Sequence, residues 1–576
     1  MRHRSARVAL VAFAALVNGA LALIPRAVLA ADWYVDSAGA SGGDGSKAKP
    51  FQTVGAALVG LQRGDTVWLA TGTYDEVVNV AKLAGTGTTT FRALPGTSPV
   101  ISGASGSAAA GFVVQTSVPD VTFQDLTIAD AVGGALGIQF YYADGGQVLH
   151  CVTKNMSGNA VTFYYANQGT VTDSTLQGNI GGRKTTGTVV DNNEVYGASA
   201  EGIGLYDGST NCTVSHNVIH DNYSVNLYLD SVSHSTYDGN LIYETDPNND
   251  LEGIEIADEG HYSDLAAPVN AYNTIVNNVV VGHNLGIVFW YSGEWSTQAL
   301  NDQSGLRYDV IANNTLVNNK GSLKWDASPA HVGTTIENNV LVSAAGTSPV
   351  YLLQAKSANG IALDHNLWFA PDLPQGFLWL GSGSDHPGFV KASSQGAGDV
   401  LGDPLLAGPW AAPPATNLAL TKTSPAVGAG VSLAAVTHDF LDAPRPAAGA
   451  DIGAFQYGAT APGDSGVGPS GDGSVTAAND AGVGIDDGAG AGAGVTTGPD
   501  AGSSGPSSQS PDGGSGSAPS SGCSCSHGEV GGGRGTAPAS GSIVAAAACL
   551  IARRARLRLR GAWRNASDPR SRPRTS

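Results

Sequence analysis

The feature that most restricts this chain is a repeating unit, plainest between Thr213 and Glu244 (TVSHNVIHDNYSVNLYLDSVSHSTYDGNLIYE). There x-Val-x-x-Asn-x-Ile-x-x-Asn is followed by a short run that alternates apolar and polar, and a similar unit begins again at Thr236. An Asn, or a polar stand-in, recurs at Asp125, Cys151, Ser174, Asn193, Asn217, Asn240, Asn278, Asn314, Asn339 and Asn366. The gaps between them are 26, 23, 19, 24, 23, 38, 36, 25 and 27 residues. A period of roughly 20 to 50 residues means a solenoid, whose units bury a continuous core only by stacking.

The units read as strands. Apolar residues alternate with polar ones at period two in Val225, Leu227 and Leu229, in Ile254 and Ile256, and in Ile287 and Phe289. Gly and Asn interrupt every few residues, so no segment is long enough for a helix. Coils of two or three short strands stacked on their equivalents make an all-β chain, a right-handed parallel β-helix. Asn placed at one corner of every coil can bond to the copies above and below, forming an amide ladder.

The order of segments fits a secreted protein. Residues 1–30 carry Arg2, Arg4 and Arg7, then an apolar run and Val28-Leu29-Ala30, the pattern of a secretory signal. The β-helix domain is expected over 31–458. An N-terminal cap over 31–66 holds a helix opened by Pro50, with Phe51, Val54, Leu58 and Leu61 on one face. A C-terminal cap is expected over 377–458, where Asp439, Arg445 and Asp451 read as structural. Residues 459–521 are a Gly/Ser/Asp-rich linker that cannot form a core. Residues 522–576 hold Cys523 and Cys525, a short apolar stretch and an Arg cluster. That stretch is shorter than the roughly 17 to 25 residues that span a bilayer. Cys151 and Cys212 sit about three rungs apart and read as small buried hydrophobes rather than a bridge. A formal net charge of −19 excludes nucleic acid as a natural partner.

The opening Trp33-Tyr34-Val35-Asp36, a Gly/Ser/Asp loop, Lys49-Pro50-Phe51-Gln52-Thr53-Val54, then Gly64-Asp65-Thr66-Val67-Trp68-Leu69 and Gly72-Thr73-Tyr74 resembles secreted parallel β-helix proteins. It is similar to the N-terminal region of family-nine pectate lyases and chondroitinase-B-type lyases, over Asp32 to about Gly458. The end of the chain resembles the C-terminal sorting tail of myxobacterial surface proteins, which implies attachment to a membrane or cell surface. In lyases of the resembling families, Ca²⁺ neutralises a substrate carboxylate and a Lys or Arg abstracts a proton. Their acidic ligands map loosely onto Asp230, Glu255 and Asp258. The polygalacturonase and mannuronan-epimerase signatures are absent from the coils.

The two long gaps place extra residues at 243–268 and 291–305, on consecutive coils, where loops on a rigid scaffold carry function. Outward residues of the strand that follows each Asn then line up from coil to coil. Tyr141, Tyr164, Tyr206, Tyr228 and Trp290, with Trp295 in the second insertion, form either an aromatic track for sugar rings or simple cross-strand packing. Carboxylates gather on the same face: Asp207, Asp230, Asp246, Asp250, Glu252, Glu255, Asp258 and Glu259. Asp230, Glu255 and Asp258 are a candidate Ca²⁺ set, with a metal-free acidic rim as the alternative. Arg183 or Lys184 is the candidate base, Lys324 lies on the far side, and His261 is a candidate proton donor. His216, His220, His234 and His283 read as polar corner residues.

Three functions stay open on these residues. The first is β-elimination on a uronate-containing extracellular polysaccharide, by a monomeric secreted or surface-attached protein. The second is glycan binding without catalysis. The third is glycoside hydrolysis by paired carboxylates on neighbouring coils, about 4.8 Å apart.

Overall fold

The structure, a computed structural model, describes residues 30–246, 251–259, 270–291, 304–325, 331–347, 350–353, 360–371, 376–380, 382–410 and 417–459. The expected signal, linker and sorting tail, and the site candidates His261 and Trp295, lie outside the described residues. Among the described residues no helix is long and apolar enough to cross a membrane.

The chain winds into a right-handed parallel β-helix of three sheets, each of 13 strands among the described residues. The first sheet begins with Asp32–Val35 and Thr66–Leu69, the second with Gly72–Asp75, and the third with Val78–Val80. Among the described strands of these sheets each pairs in parallel with its equivalent one coil away, except that Gly376–Trp379 pairs antiparallel with Ser382–Ser384. Because every strand gives one face to the interior, one column of apolar side chains fills the lumen. Phe91 stacks on Phe123 from the first sheet and Phe140 on Phe163 from the third, at centroid spacings of 5.4 and 4.9 Å, and Phe123 meets Phe140 across the lumen at 6.0 Å, tilted by 54°. The rung spacing of about 4.8 Å matches the distance at which aromatic rings pack. Gly169 makes room for one of these rings, since a Cβ there would lie 2.3 Å from Phe163.

The amide ladder forms the corner between the first and second sheets. In each rung the Asn backbone N–H and Nδ2 both donate to Oδ1 of the next, from Asn193 through Asn217, Asn240, Asn278, Asn314 and Asn339 to Asn366, at 2.9–3.0 Å. Ser174 and Cys151 continue it downward, and Asp399 Oδ1 accepts the last N–H. An acidic end is tolerated because no further rung must be bridged, and Asp399 Oδ2 bonds Trp368 and His386. The expected register is one residue off at Asp125. Val152 N–H donates to Leu126 O, so Leu126 is the rung below Cys151. Asp125 belongs to the preceding column of left-handed residues, with His150, Asp173, Asn192, His216, Asn277, Asn313, Asn338 and His365. That residue makes the sharp bend, and short polar side chains tolerate it best.

At the N-terminal end lies a helix later and shorter than the one expected from Pro50. Val54–Leu58 is capped by Thr53, and the Glu76 carboxylate accepts from the Val54 and Gly55 N–H groups at 2.7 and 2.9 Å. Pro50 precedes it in extended chain, because Phe51 pairs with Val35. Cys151 and Cys212 are free and buried.

At the other end, helix His386–Ser393 packs Phe389 on Phe377 and Trp379. Residues 417–459 do something the expected cap does not: they run back along the flank. Leu418, Leu420, Ala426, Ile452, Ala454 and Phe455 cover Val279, Val281, Val317, Val340 and Val342 on the outer face of the second sheet. Arg445 donates to Asn277, His438, Asp451 and Gly453, and Asp439 accepts the Leu441, Ala443 and Gln456 N–H groups. These charged residues fasten a strap. A cavity of about 200 Å³ under it is lined by Asn313, Val436 and Arg445, whose guanidinium is already spent on those four acceptors.

Candidate functional site

The third sheet carries two outward columns. One runs Gln139, Thr162, Gly181, Gly204, Tyr228, Glu255, Val288, Lys324, and the other Tyr141, Tyr164, Arg183, Tyr206, Asp230, Ala257, Trp290. The expected alignment is therefore correct, with one exception. Lys324 is not on a far side but in the same column as Glu255, two rungs on.

The aromatic rings do not form an open track. Tyr141 and Tyr164 stack face to face at 5.3 Å with 6° between planes, and Tyr142 and Tyr165 do so beside them at 5.1 Å. The two stacks meet edge to face. Rung spacing again sets the ring spacing, so the facing sides of these rings cover one another, while Tyr142 at the edge stays 55% exposed. Tyr206 leans over the glycine pair: a Cβ on Gly181 would lie 3.2 Å from its hydroxyl. Tyr228 is buried with Val225 and Ala257, and Trp290 packs on that group.

Arg183 ends the tyrosine stack. Its guanidinium lies 5.7 and 5.8 Å from the Tyr164 and Tyr165 centroids, and its Nε is 2.5 Å from Asp207 Oδ2. Such a stacked, ion-paired guanidinium is held as a cation and is a poor base. Lys184, in the left-handed conformation, places its ammonium 5.5 Å from the Tyr165 centroid.

Above this pair lies a buried acidic cluster spanning three rungs. Asp207, Asp230 and Asp258 are at most 2% exposed, and Glu255 and Glu259 are 5% exposed. Tyr206 pairs with Asp230 and Asp230 with Ala257, so Asp207 and Asp258 follow their strands on the rungs below and above Asp230. Asp230 Oδ1 accepts from the Ser231 hydroxyl at 3.0 Å and the Glu259 N–H at 3.1 Å. Tyr228 donates its hydroxyl to Glu259 Oε1 at 2.6 Å. Burial, and then the charges of Glu259, Asp207 and Asp258, push the Asp230 carboxyl well above the usual carboxylate range. Burial pushes Asp258 up to about 7, against hydrogen bonds from Gly305 and Asn270.

Asp258 is an anchor. Its Oδ1 accepts Asn270 Nδ2 at 2.6 Å and its Oδ2 the Gly305 N–H at 2.7 Å, so one carboxylate ties down the chain where each insertion ends. The insertion expected over 243–268 is itself divided, because Glu252–Asp258 is a full strand of the third sheet. Among the described residues no three His, Cys, Asp or Glu side chains stand together as a metal ligand set. Asp230, Glu255 and Asp258 thus share a neighbourhood without converging. Glu259, Tyr165 and Asn270 have roles that were not assigned from sequence. Glu259 was visible as part of the acidic run, while Tyr165 and Asn270 gave no signal.

The histidines divide between corners and walls. His216, at a bend, bonds Asp191 and Asp442 of the strap. His220 stacks between Tyr196 and Tyr243 on the second sheet. His283 is fully buried, its Nε2 2.8 Å from Asn226 Nδ2 and its backbone N–H donating to Asn319 Oδ1, and burial lowers the imidazole pKa to about 3.

A family model described as periplasmic copper-binding protein (NosD) matches residues 124–328. A protein of Bacillus subtilis (strain 168), the uncharacterized protein YwoF, is 25% identical over 443 residues, covering 65% of this chain and 88% of that one. Among solved structures, XylC in complex with xylose is similar at 11% identity and a TM-score of 0.49, over 74% of this chain and 98% of the other. The PL6 family alginate lyase AlyGC is similar at 17% identity and a TM-score of 0.38, over 60% and 53% of the two chains. Pectate lyase Pel9A is similar at 14% identity and a TM-score of 0.32, over 74% and 96%.

Proposed function

We propose that this chain is a secreted or surface-attached protein acting on extracellular polysaccharide, and that it cleaves glycosidic bonds by acid catalysis from the carboxylate pair Asp230 and Asp207. The observation that carries this reading is the Asp230 carboxyl. It is buried and enclosed by Asp207, Asp258 and Glu259 on the third sheet, which favours its protonated form over the carboxylate. Asp207, on the neighbouring rung, has a fixed counter-ion in Arg183 and serves as the carboxylate partner.

Glycoside hydrolysis needs one carboxyl that gives a proton to the leaving oxygen and a second that acts from its carboxylate form. Environments that separate two neighbouring acids supply that division of roles. Glu259 holds Asp230 in place, its backbone N–H donating to Asp230 Oδ1 while its carboxylate accepts the Tyr228 hydroxyl. β-Elimination, which the sequence favoured, would use Lys184 or Arg183 as base. Arg183 is committed to Asp207, which is why hydrolysis is preferred. Neither calcium nor copper has a part in this reading, because its chemistry is carried by the carboxylates alone.

The test is incubation of the purified chain, Asp230→Asn and Asp207→Asn with a polysaccharide panel, recording reducing ends and unsaturated-product absorbance together. Reducing ends without unsaturation, lost in both variants, are expected. Unsaturated product would assign the lyase instead, and retention of glycan with no cleavage would leave a binding protein.

A further inference from the structure

We infer that the strap over residues 417–459 is fastened to the coils by a pH-dependent clasp at His216, closed in acid and loosened above neutral pH. The clasp stands at the bend between the first and second sheets. Asp191, Ser215 and Asp238 are register partners on three successive rungs of the first sheet, and His216 is the left-handed residue that follows Ser215. Gly239, its counterpart one rung on, makes room for the ring, since a Cβ there would lie 3.2 Å from His216 Cδ2.

Both ring nitrogens of His216 face a carboxylate. Nδ1 lies 2.9 Å from Asp191 Oδ1 on the rung below, and Nε2 lies 3.3 Å from Asp442 Oδ1 on the strap. A neutral imidazole carries one N–H, so it donates to one of these oxygens and turns a lone pair on the other. Only the imidazolium serves both. Burial works against that charge, but hydrogen bonds and charge from Asp191 and Asp442 outweigh it and raise the imidazole above its ordinary 6.5. The contribution is therefore whole below pH 6.5 and is lost as pH climbs through the raised value. When the proton leaves, the shorter bond to the coil is retained and the longer one, to the strap, is given up.

The neighbouring groups do not take over this role. Asp191 Oδ1 also accepts the Ser215 hydroxyl at 2.6 Å, which fixes it to the wall. His438, on the strap, faces Asp238 Oδ2 with Nε2 at 2.8 Å and Thr437 Oγ1 with Nδ1 at 3.3 Å, a pair of partners that a ring with one N–H satisfies. Its Nε2 is 4.0 Å from Asp442, beyond hydrogen-bond reach. Asp238 Oδ1 accepts Asn277 Nδ2, and Arg445, beside Asp238, Asp439 and Asp451, stays charged throughout this range. The apolar contacts of the strap with the second sheet do not titrate, so the change is a local loosening and not a release.

Hydrogen exchange of the full chain, followed by mass spectrometry at pH 5.5 and 8.5, compares wild type with His216→Gln at each pH, so that the intrinsic exchange rate cancels. Strap peptides within 430–457 are read against coil peptides within 274–289 of the same sample. At pH 5.5 the wild-type strap should exchange about threefold more slowly than the variant's, the contribution of one half-exposed charged bond. At pH 8.5 the two should agree. A ratio that is the same at both pH values overturns the inference, and so does a strap that loosens on acidification. Where His216→Gln changes strap and coil peptides alike, Asp442→Asn, which removes only the strap's side of the clasp, decides by the same ratio.

Discussion

Replacing Asn240 by alanine should destabilise the β-helix by about 4 to 6 kcal/mol. The Asn240 side chain makes four bonds and is fully buried. Its Oδ1 accepts the Asn217 N–H and the Asn217 Nδ2, each at 3.0 Å. Its Nδ2 donates to Val214 O and to Asn278 Oδ1, each at 2.9 Å. Alanine leaves the Asn217 N–H without that acceptor inside the wall, a loss of about 1 to 3 kcal/mol, and removes further bonds worth about 1 kcal/mol apiece. The assay is urea unfolding followed by circular dichroism and tryptophan fluorescence together, so that a split transition would be seen. With an m of about 3 kcal/mol/M the midpoint should fall by roughly 1 M or more. Asn192→Ala is the control, at a bend one residue before the ladder residue Asn193, where Nδ2 reaches Asp173 Oδ1 across an exposed corner. It should move the midpoint by less than half as much. Equal shifts for the two variants would refute the ladder as a principal stabilising element.

Three further outcomes are expected. Ile452→Ala, which empties a buried place in the strap against the second sheet, should cost about 2 to 5 kcal/mol, read as a fall in Tm; a shift under about 1 °C would show that the strap is not packed there. Asp258 is raised from 3.8 to about 7, so between those values the folded chain holds a proton that the unfolded chain has released. Its contribution is present below pH 4 and lost as pH rises to 7, and the stability of wild type relative to Asp258→Asn should fall by a few kcal/mol over that interval, with a flat difference contradicting it. His283 is lowered from 6.5 to about 3, so stability is lost as pH falls through that range. His283→Asn, matching Asn319 in the next coil, should reduce acid unfolding, and an unchanged acid transition would oppose this.

Sequence made the coil architecture legible because each rung repeats one backbone problem, and Asn is the residue that solves it. The slip at Asp125 arose because the bend and the ladder are adjacent and both favour polar residues. Only the hydrogen bond to Leu126 separates them. The outward columns followed from strand alternation, so Tyr228, Asp230 and Glu255 were placed on the right face. What sequence cannot carry is the rotamer: whether Tyr141 faces solvent or Tyr164 depends on ring stacking at rung spacing. The partners of Asp258 were hidden for another reason. Asn270 and Gly305 are 12 and 47 residues away, and only the closing of two coils brings them to one carboxylate. Residues 417–459 read as an end cap because their apolar residues have no periodicity, and the flank they cover belongs to distant rungs.

The decisive measurement is the activity and Tm of Asp230→Asn beside wild type at pH 7, on whichever polysaccharide the wild type cleaves. A catalytic acid held in an unfavourable buried setting should give a variant that melts no lower than wild type and has lost at least about a hundredfold in kcat/KM. A variant that cleaves as wild type does would contradict the assignment, whatever its Tm.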